Sequence, residues 1–244
     1  MTTAAIVQAR MGSTRRPNKA LVPIGGVPLL ERVLQNAFDV PDFEFVVVAT
    51  PNNPEDAPIW DHATKRGARV FRGSQDDVLD RYYQAARHHG VDTIARITAD
   101  DPFKAPDVVA ECLRVFREGG FDYVSNTKQP TYPEGLDIEV FSFAALEKAW
   151  TNAKKTFERE HVTPYIWMPD QNEGLFRRHQ FINPRGDYSG FRLTVDTEDD
   201  VQKLNVFSGA LAAVGGRCNL ANVLAVLDGD DGARYRHAET VRNA

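Results

Sequence analysis

Cysteine is scarce: Cys112 and Cys218 are the only two in 244 residues, and they stand far apart. That excludes a disulfide framework and a cysteine-based zinc site, and it fits a reducing compartment. Long hydrophobic runs are missing, since no stretch approaches the roughly 20 apolar residues a membrane helix needs. Met1-Thr-Thr-Ala-Ala-Ile-Val-Gln8 carries neither a basic leader nor a long apolar segment, so no signal peptide is expected and a cytoplasmic protein is. Positive charge is in deficit: 29 Lys and Arg against 34 Asp and Glu leave a formal charge of −5, which argues against a nucleic-acid partner. A polyanionic ligand would have to be met by cations gathered at one place. Low-complexity linkers and internal repeats are also lacking, so residues 1–244 read as a single domain.

What is there alternates. Short apolar or β-branched runs at Ala4–Gln8, Phe45–Ala49, Arg69–Phe71, Thr93–Thr98 and Tyr123–Ser125 are interleaved with helical patterns. Those patterns cover Leu29–Phe38, Pro54–Arg66, Asp76–His89 and Pro106–Glu118. Strand and helix in turn predict an α/β fold, a mostly parallel, doubly wound sheet with helices on both faces. Ligands of such sheets sit outside the carboxyl ends of the strands. The alternation falters over about 127–150, read as an inserted hairpin region, where Leu136–Phe141 alternates apolar and acidic residues as a half-exposed strand does. Gly190–Val195 reads as a late strand and Val201–Val214 as a helix.

Three segments carry chemistry. After the first strand comes Gln8-Ala9-Arg10-Met-Gly12-Ser13-Thr14-Arg15-Arg16-Pro17-Asn18-Lys19, four cations and two hydroxyl residues around a glycine. Glycine lets backbone N–H groups approach a phosphate, arginine clasps its oxygens, and lysine adds a mobile point charge. The spacing is neither that of a P-loop nor that of a dinucleotide fingerprint. The second segment, Arg96-Ile-Thr-Ala-Asp100-Asp101-Pro102, ends a strand in paired carboxylates. Either it supplies a magnesium ligand or it caps the next helix. The third, Leu193-Thr-Val-Asp196-Thr197-Glu-Asp-Asp200, again runs a strand into an acid, with a capping-box pattern behind it. Together Asp100 and Asp196 would hold one cation beside the basic loop. Arg72-Gly73-Ser74 could touch a base or ribose, or turn into the helix that carries Asp77 and Arg81. His161, a lone histidine on an expected helix, is read as structural.

In this order the motifs are recognisable. Ala5-Ile-Val-Gln-Ala-Arg10-Met-Gly-Ser-Thr-Arg15, with Pro17 and Lys19, resembles the N-terminal signature of the cytidylyltransferases that make CMP-activated sugar acids. It is most similar to the branch named after spore-coat polysaccharide biosynthesis protein F. The likeness also rests on Phe71–Tyr82, Arg96–Asp100, Asp122–Asn126, Gly135–Val140 and Glu160–Pro164, and it runs from about residue 4 to about residue 205. The resemblance implies a nucleotidyltransferase-like α/β fold, Mg2+ and CTP. It also implies an acidic-sugar acceptor of KDO or nonulosonic type and a homodimer through the inserted region. It assigns Arg10, Gly12, Ser13, Arg15 and Lys19 to the triphosphate, with Ala9 beside them. Asp100 and Asp196 fall to the metal, and Arg72, Gly73, Ser74 and Arg81 to base and ribose. Arg10, Lys19 and Asp100 would carry the catalysis.

Four positions depart from the family pattern. Arg16 and Asn18 stand where Leu and Gly are usual, and Asp101 and Lys104 replace Cys and an apolar residue. Arg16 adds charge, and asparagine tolerates the left-handed backbone that glycine would supply. Lys104 is expected nearer the acceptor. The implied reaction is in-line displacement at the α-phosphorus of CTP by the acceptor's anomeric hydroxyl, with pyrophosphate leaving. Rival readings are a nucleotidyltransferase with another nucleotide or a non-sugar acceptor, a non-catalytic nucleotide-binding subunit, and a glycosyltransferase, which lacks a clear Asp-x-Asp motif here.

Overall fold

The structure, a computed structural model, describes residues 1–12, 16–168 and 174–237. Seven strands form the central sheet: β1 (Thr3–Gln8), β4 (Phe45–Pro51), β5 (Arg69–Gly73), β6 (Thr93–Thr98), β7 (Tyr123–Ser125), β8 (Glu139–Ser142) and β9 (Arg178–Gln180). A two-stranded ribbon, β2 (Pro23–Ile24) with β3 (Val27–Pro28), stands apart from it. The sheet order is β5-β4-β1-β6-β8-β7-β9, and only β8 runs against the rest. The sheet is therefore mostly parallel, as the alternation predicts.

Both faces of the central strands are covered, which is why β1 and β4 carry apolar runs instead of alternating. In β1, Ala5 and Val7 enter one core and Ala4 and Ile6 the other; in β4, Val46 and Val48 oppose Val47 and Ala49. The first core is closed by α1 (Leu29–Phe38), α2 (Ala57–Lys65), α4 (Pro106–Gly119), α8 (Glu198–Ala213) and α9 (Leu220–Leu227). The second is closed by α3 (Val78–His89) and α5 (Phe143–Asn152), with α6 (Thr156–His161) and α7 (Pro164–Trp167) at one end. Helix α1 buries Leu29, Leu30, Val33, Leu34 and Ala37, a stripe at helical spacing. Helix α8 starts with the capping box read from sequence, Thr197 and Asp200 each satisfying the other's backbone N–H.

The chain moves outward from β1 to β4 and β5, then returns to place β6 on the other flank of β1. That reversal makes the carboxyl end of β1 the crevice where such sheets take ligands. Register completes the placement: Gln8 pairs with Thr98, so the basic loop and the Asp100 turn leave the sheet side by side.

One expectation is filled in here and one changes. The region around 127–150, read as an inserted hairpin region, packs on its own domain. Its antiparallel pair is β7 with β8, both strands of the main sheet, and Phe143–Asn152 is helix α5. Gly190–Val195 forms no strand of the sheet; Phe191 and Arg192 make only isolated bridges, to Arg236 and Glu134. The segment instead packs along residues 134–136. Gly135, at φ +102°, makes that possible, because a Cβ there would lie 3.0 Å from the Leu193 carbonyl carbon and oxygen.

Candidate active site

The loop after β1 is fixed at both ends. Met11 N–H donates to Asp56 Oδ1 at 2.7 Å, and Asn18 N–H donates back to the Met11 carbonyl at 3.1 Å. Asn18 adopts φ 60°, ψ 20°, the left-handed conformation that asparagine tolerates in place of glycine. Ser13 and Arg15 lie outside the described residues. Among the described residues, a Cβ on Gly12 would meet nothing nearer than Glu55 Oε1 at 4.0 Å. Arg16 ion-pairs with Glu198, so its charge is already engaged.

Lys19 follows, and its ammonium lies between two acids, 3.0 Å from Asp100 Oδ2 and 3.2 Å from Asp196 Oδ1. Asp100 comes off β6. Asp196 is delivered by a different device, for Val195 N–H donates to the Asp100 carbonyl at 2.9 Å and ties the non-strand segment to the turn. Arg192 grips Asp196 Oδ2 at 2.6 Å from behind. Burial pushes the Asp100 carboxyl up, but Lys19 and the Thr98 hydroxyl outweigh it and hold the group below the usual carboxylate range. Two carboxylates thus converge on one cation position, now filled by an ammonium. That donor set fits Mg2+, which takes one or two carboxylates and completes its shell with water and phosphate oxygen. Among the described residues no third His, Cys, Asp or Glu joins them to make an all-protein metal cage.

The cleft has two lobes that meet at Arg96, Thr98, Asp100, His161 and Asp196. The smaller, of about 220 Å³, is lined by Ala9, Arg10, Lys19 and Arg81 as well. Its four cations (Arg10, Lys19, Arg81, Arg96) exceed its three acids (Asp100, Glu160, Asp196), a surplus that suits a polyphosphate. Arg81 is buried, donates to the Ser74 carbonyl at 2.6 Å, and is held below its ordinary pKa by burial first and by Arg10. The larger lobe, of about 580 Å³, reverses the balance: Arg96 and Lys128 face Asp100, Asp101, Glu134, Asp137, Glu139 and Asp196.

Not every residue expected at the site lines it. Arg72 turns its guanidinium over the Trp60 ring, 4.6 Å from the centroid, and Ser74 Oγ accepts from Asp77 N–H at 3.0 Å at the start of α3. Neither these two nor Gly73 lines either lobe. Lys104 is buried, 3.2 Å from Asp101 Oδ2, and reaches the Asp137 carbonyl; it props the 135–137 loop from behind instead of facing an acceptor.

The structure adds residues that sequence reasoning left without a role. Arg96 and Glu139 are opposite one another on β6 and β8 and form an ion pair. Glu139 Oε1 also accepts from Tyr123 OH at 2.5 Å and Thr163 Oγ1 at 2.6 Å. The acid expected on a half-exposed strand is thus buried and fully partnered. Burial pushes the Glu139 carboxyl up, yet Arg96, Thr163 and Tyr123 together hold it below its ordinary value. His161, expected to be structural, is exposed at the junction of the lobes. The reason is a turn: Val162 sits at φ 71°, ψ −57°, and Thr163 N–H donates to the His161 carbonyl at 2.8 Å. This γ-turn form is strained, costing a β-branched residue about 1–3 kcal/mol, and such strain collects at functional sites. It turns His161 outward while keeping Thr163 on Glu139. Arg159 anchors the same helix to α3, its guanidinium on both oxygens of Asp77.

Comparison with known proteins points one way. A family model described as cytidylyltransferase matches residues 4–207. An uncharacterized protein of Methanocaldococcus jannaschii is 41% identical over 203 residues, covering 82% of this chain and 80% of the relative. Spore coat polysaccharide biosynthesis protein SpsF of Bacillus subtilis is 34% identical over 211 residues, covering 82% and 83%. Among solved structures, a cytidylyltransferase from Leptospira borgpetersenii superposes with a TM-score of 0.88 at 29% identity, covering 99% of this chain and 100% of that one.

Proposed function

This chain belongs to the cytidylyltransferase family, and from that premise we propose that it transfers CMP from CTP to a small sugar acid and releases pyrophosphate. The observation that carries the reading is the Asp100–Lys19–Asp196 cluster at the junction of a cation-rich lobe and a second, roomier one. The motif resemblance to makers of CMP-activated sugar acids, and to a polysaccharide-biosynthesis branch, supports the acidic acceptor.

In this reading the triphosphate lies along Ala9 to Lys19, with Arg10 and Lys19 neutralising the β- and γ-phosphates as pyrophosphate departs. Arg81, fixed by Ser74, sets the nucleotide side of the lobe. The acceptor's anomeric hydroxyl attacks the α-phosphorus from the larger lobe, forming the new ester as the bond to the β-phosphate oxygen breaks. Mg2+ held by Asp100 and Asp196 would supply charge neutralisation at the α-phosphate. A homodimer belongs to the same reading, supported by the edge position of β9 among the described strands and by the exposed Ile182 beyond it. No helix among the described residues is long and apolar enough to cross a membrane. The direct test is pyrophosphate release from each of the four nucleoside triphosphates with a panel of sugar acids. Release confined to CTP and dependent on an acid supports the assignment, and equal release from UTP or with a neutral acceptor reassigns it.

Lys19 has a second expected effect. While it bridges the two carboxylates it competes for their cation position, so removing its charge frees the pair. Lys19→Met should bind Mn2+ at least about tenfold more tightly in the absence of nucleotide, read from the spin resonance of free Mn2+. Unchanged or weaker Mn2+ binding would show that Asp100 and Asp196 do not form the cation site.

A further inference from the structure

We propose that Lys128 is the residue that receives the carboxylate of the acceptor, and so sets the specificity of the larger lobe for sugar acids. The inference deepens the cytidylyl-transfer reading and rests on it. Six acids line this lobe, so an anionic acceptor needs a cation there that is not already committed. Arg96 is committed to Glu139, and Lys19, at the edge of the lobe, to Asp100 and Asp196. Lys104 lies behind Asp101, and Arg192 holds Glu134, Asp196 and Asp200.

Lys128 differs. Among the described residues it is the one cation lining the lobe with no carboxylate in ion-pair range, and its ammonium instead rests over the Trp167 ring, 3.1 Å from the centroid. Its backbone is fixed, because Lys128 N–H donates to Gln180 Oε1 at 2.9 Å. The residue is exposed at the mouth of the lobe, so the ammonium can leave the ring without disturbing packed groups. A cation over an aromatic face at an exposed site is held by about 0.5–1 kcal/mol, less than the roughly 1.5–3 kcal/mol of a hydrogen bond to a charged group. An arriving carboxylate therefore draws Lys128 off the ring. The ring then lies bare beside Phe157, and the two offer an apolar wall for the C–H face of the sugar.

The test is pyrophosphate release at saturating CTP, with one sugar acid and its methyl ester varied in turn, for the wild type, Lys128→Met and Lys128→Arg. Lys128→Met should raise KM for the acid about 10–100-fold, leave KM for CTP within about twofold, and leave the poor KM of the methyl ester unchanged. Lys128→Arg should recover most of the loss. A wild-type KM for the acid in Lys128→Met overturns the role of Lys128 alone. A parallel rise for the ester or for CTP also overturns it, since Lys128 would then act by supporting the lobe through Trp167. If the wild type releases pyrophosphate only with acceptors that lack a carboxylate, both this inference and the sugar-acid reading fall.

Discussion

Asp100→Asn is expected to lower kcat by about 10²–10³, with a much smaller change in KM for CTP. The substitution keeps the size of the side chain and its place at the end of β6, but removes one of the two charges that meet at Lys19. Charge at this point matters most when the α-phosphorus is being displaced, so the loss belongs to the transition state and appears in kcat. Asp196→Asn should cost a similar amount. Because the two acids serve one cation position, the double variant should be little worse than the worse single one. Folding should survive with a modest loss, since Asp100 gives up its contact with Lys19 while its repulsion of Asp101 is relieved. Steady-state rates alongside a thermal melt check both halves. Turnover at the wild-type rate in Asp100→Asn would remove this acid from the chemistry.

Glu139→Ala should be the most destabilising single change at the site, costing about 3–5 kcal/mol. The carboxylate is 7% exposed, and its removal strands three donors: the Arg96 guanidinium, the Tyr123 hydroxyl and the Thr163 hydroxyl. Arg96 then stays charged and half-buried with its ion-pair partner gone, which accounts for much of the cost. Replacing both members, as Arg96→Met with Glu139→Leu, should recover much of the stability while activity stays low, since Arg96 lines both lobes. The pH dependence has a definite sign. Glu139 is held below its ordinary pKa in the folded protein, so its contribution is complete above the unfolded value of about 4.3. It fades as pH falls through the lower folded value. The gap in unfolding free energy between wild type and Glu139→Ala, read from denaturant titrations, should therefore be constant from about pH 6 to 8 and narrow below about pH 4. A gap under about 1 kcal/mol at neutral pH would mean that water replaces the carboxylate without penalty.

Much of the fold was legible in the sequence because local rules and the final structure agree there. Thr93–Thr98 and Leu29–Phe38 are strand and helix over the expected residues, since β-branched alternation and a helical apolar stripe each admit one regular form. Asp100 was legible for a related reason: a doubly wound sheet brings the carboxyl ends of its strands to one crevice. What stayed hidden depends on partners distant in the chain. Glu139 looks half exposed in an alternating strand, and nothing near it announces Arg96, 43 positions away. Lys104 looks available to a ligand until Asp101 and the 135–137 carbonyls close around it. Val162 breaks a local rule outright, a β-branched residue in the left-handed region, and no propensity argument would place His161 on the cleft through such a turn. Asp196 was expected at the end of a strand and arrives instead on an irregular segment held by one backbone hydrogen bond to Asp100.

The most direct test of cytidylyl transfer is to identify the product. The protein is incubated with CTP, Mg2+ and a sugar acid, and the mixture is read by phosphorus resonance and mass spectrometry. CMP transfer predicts pyrophosphate and a CMP–sugar acid ester in equal amounts, with no product from UTP, ATP or GTP. Pyrophosphate accompanied by free CMP alone, or CTP left intact with every acid while still bound, would contradict it.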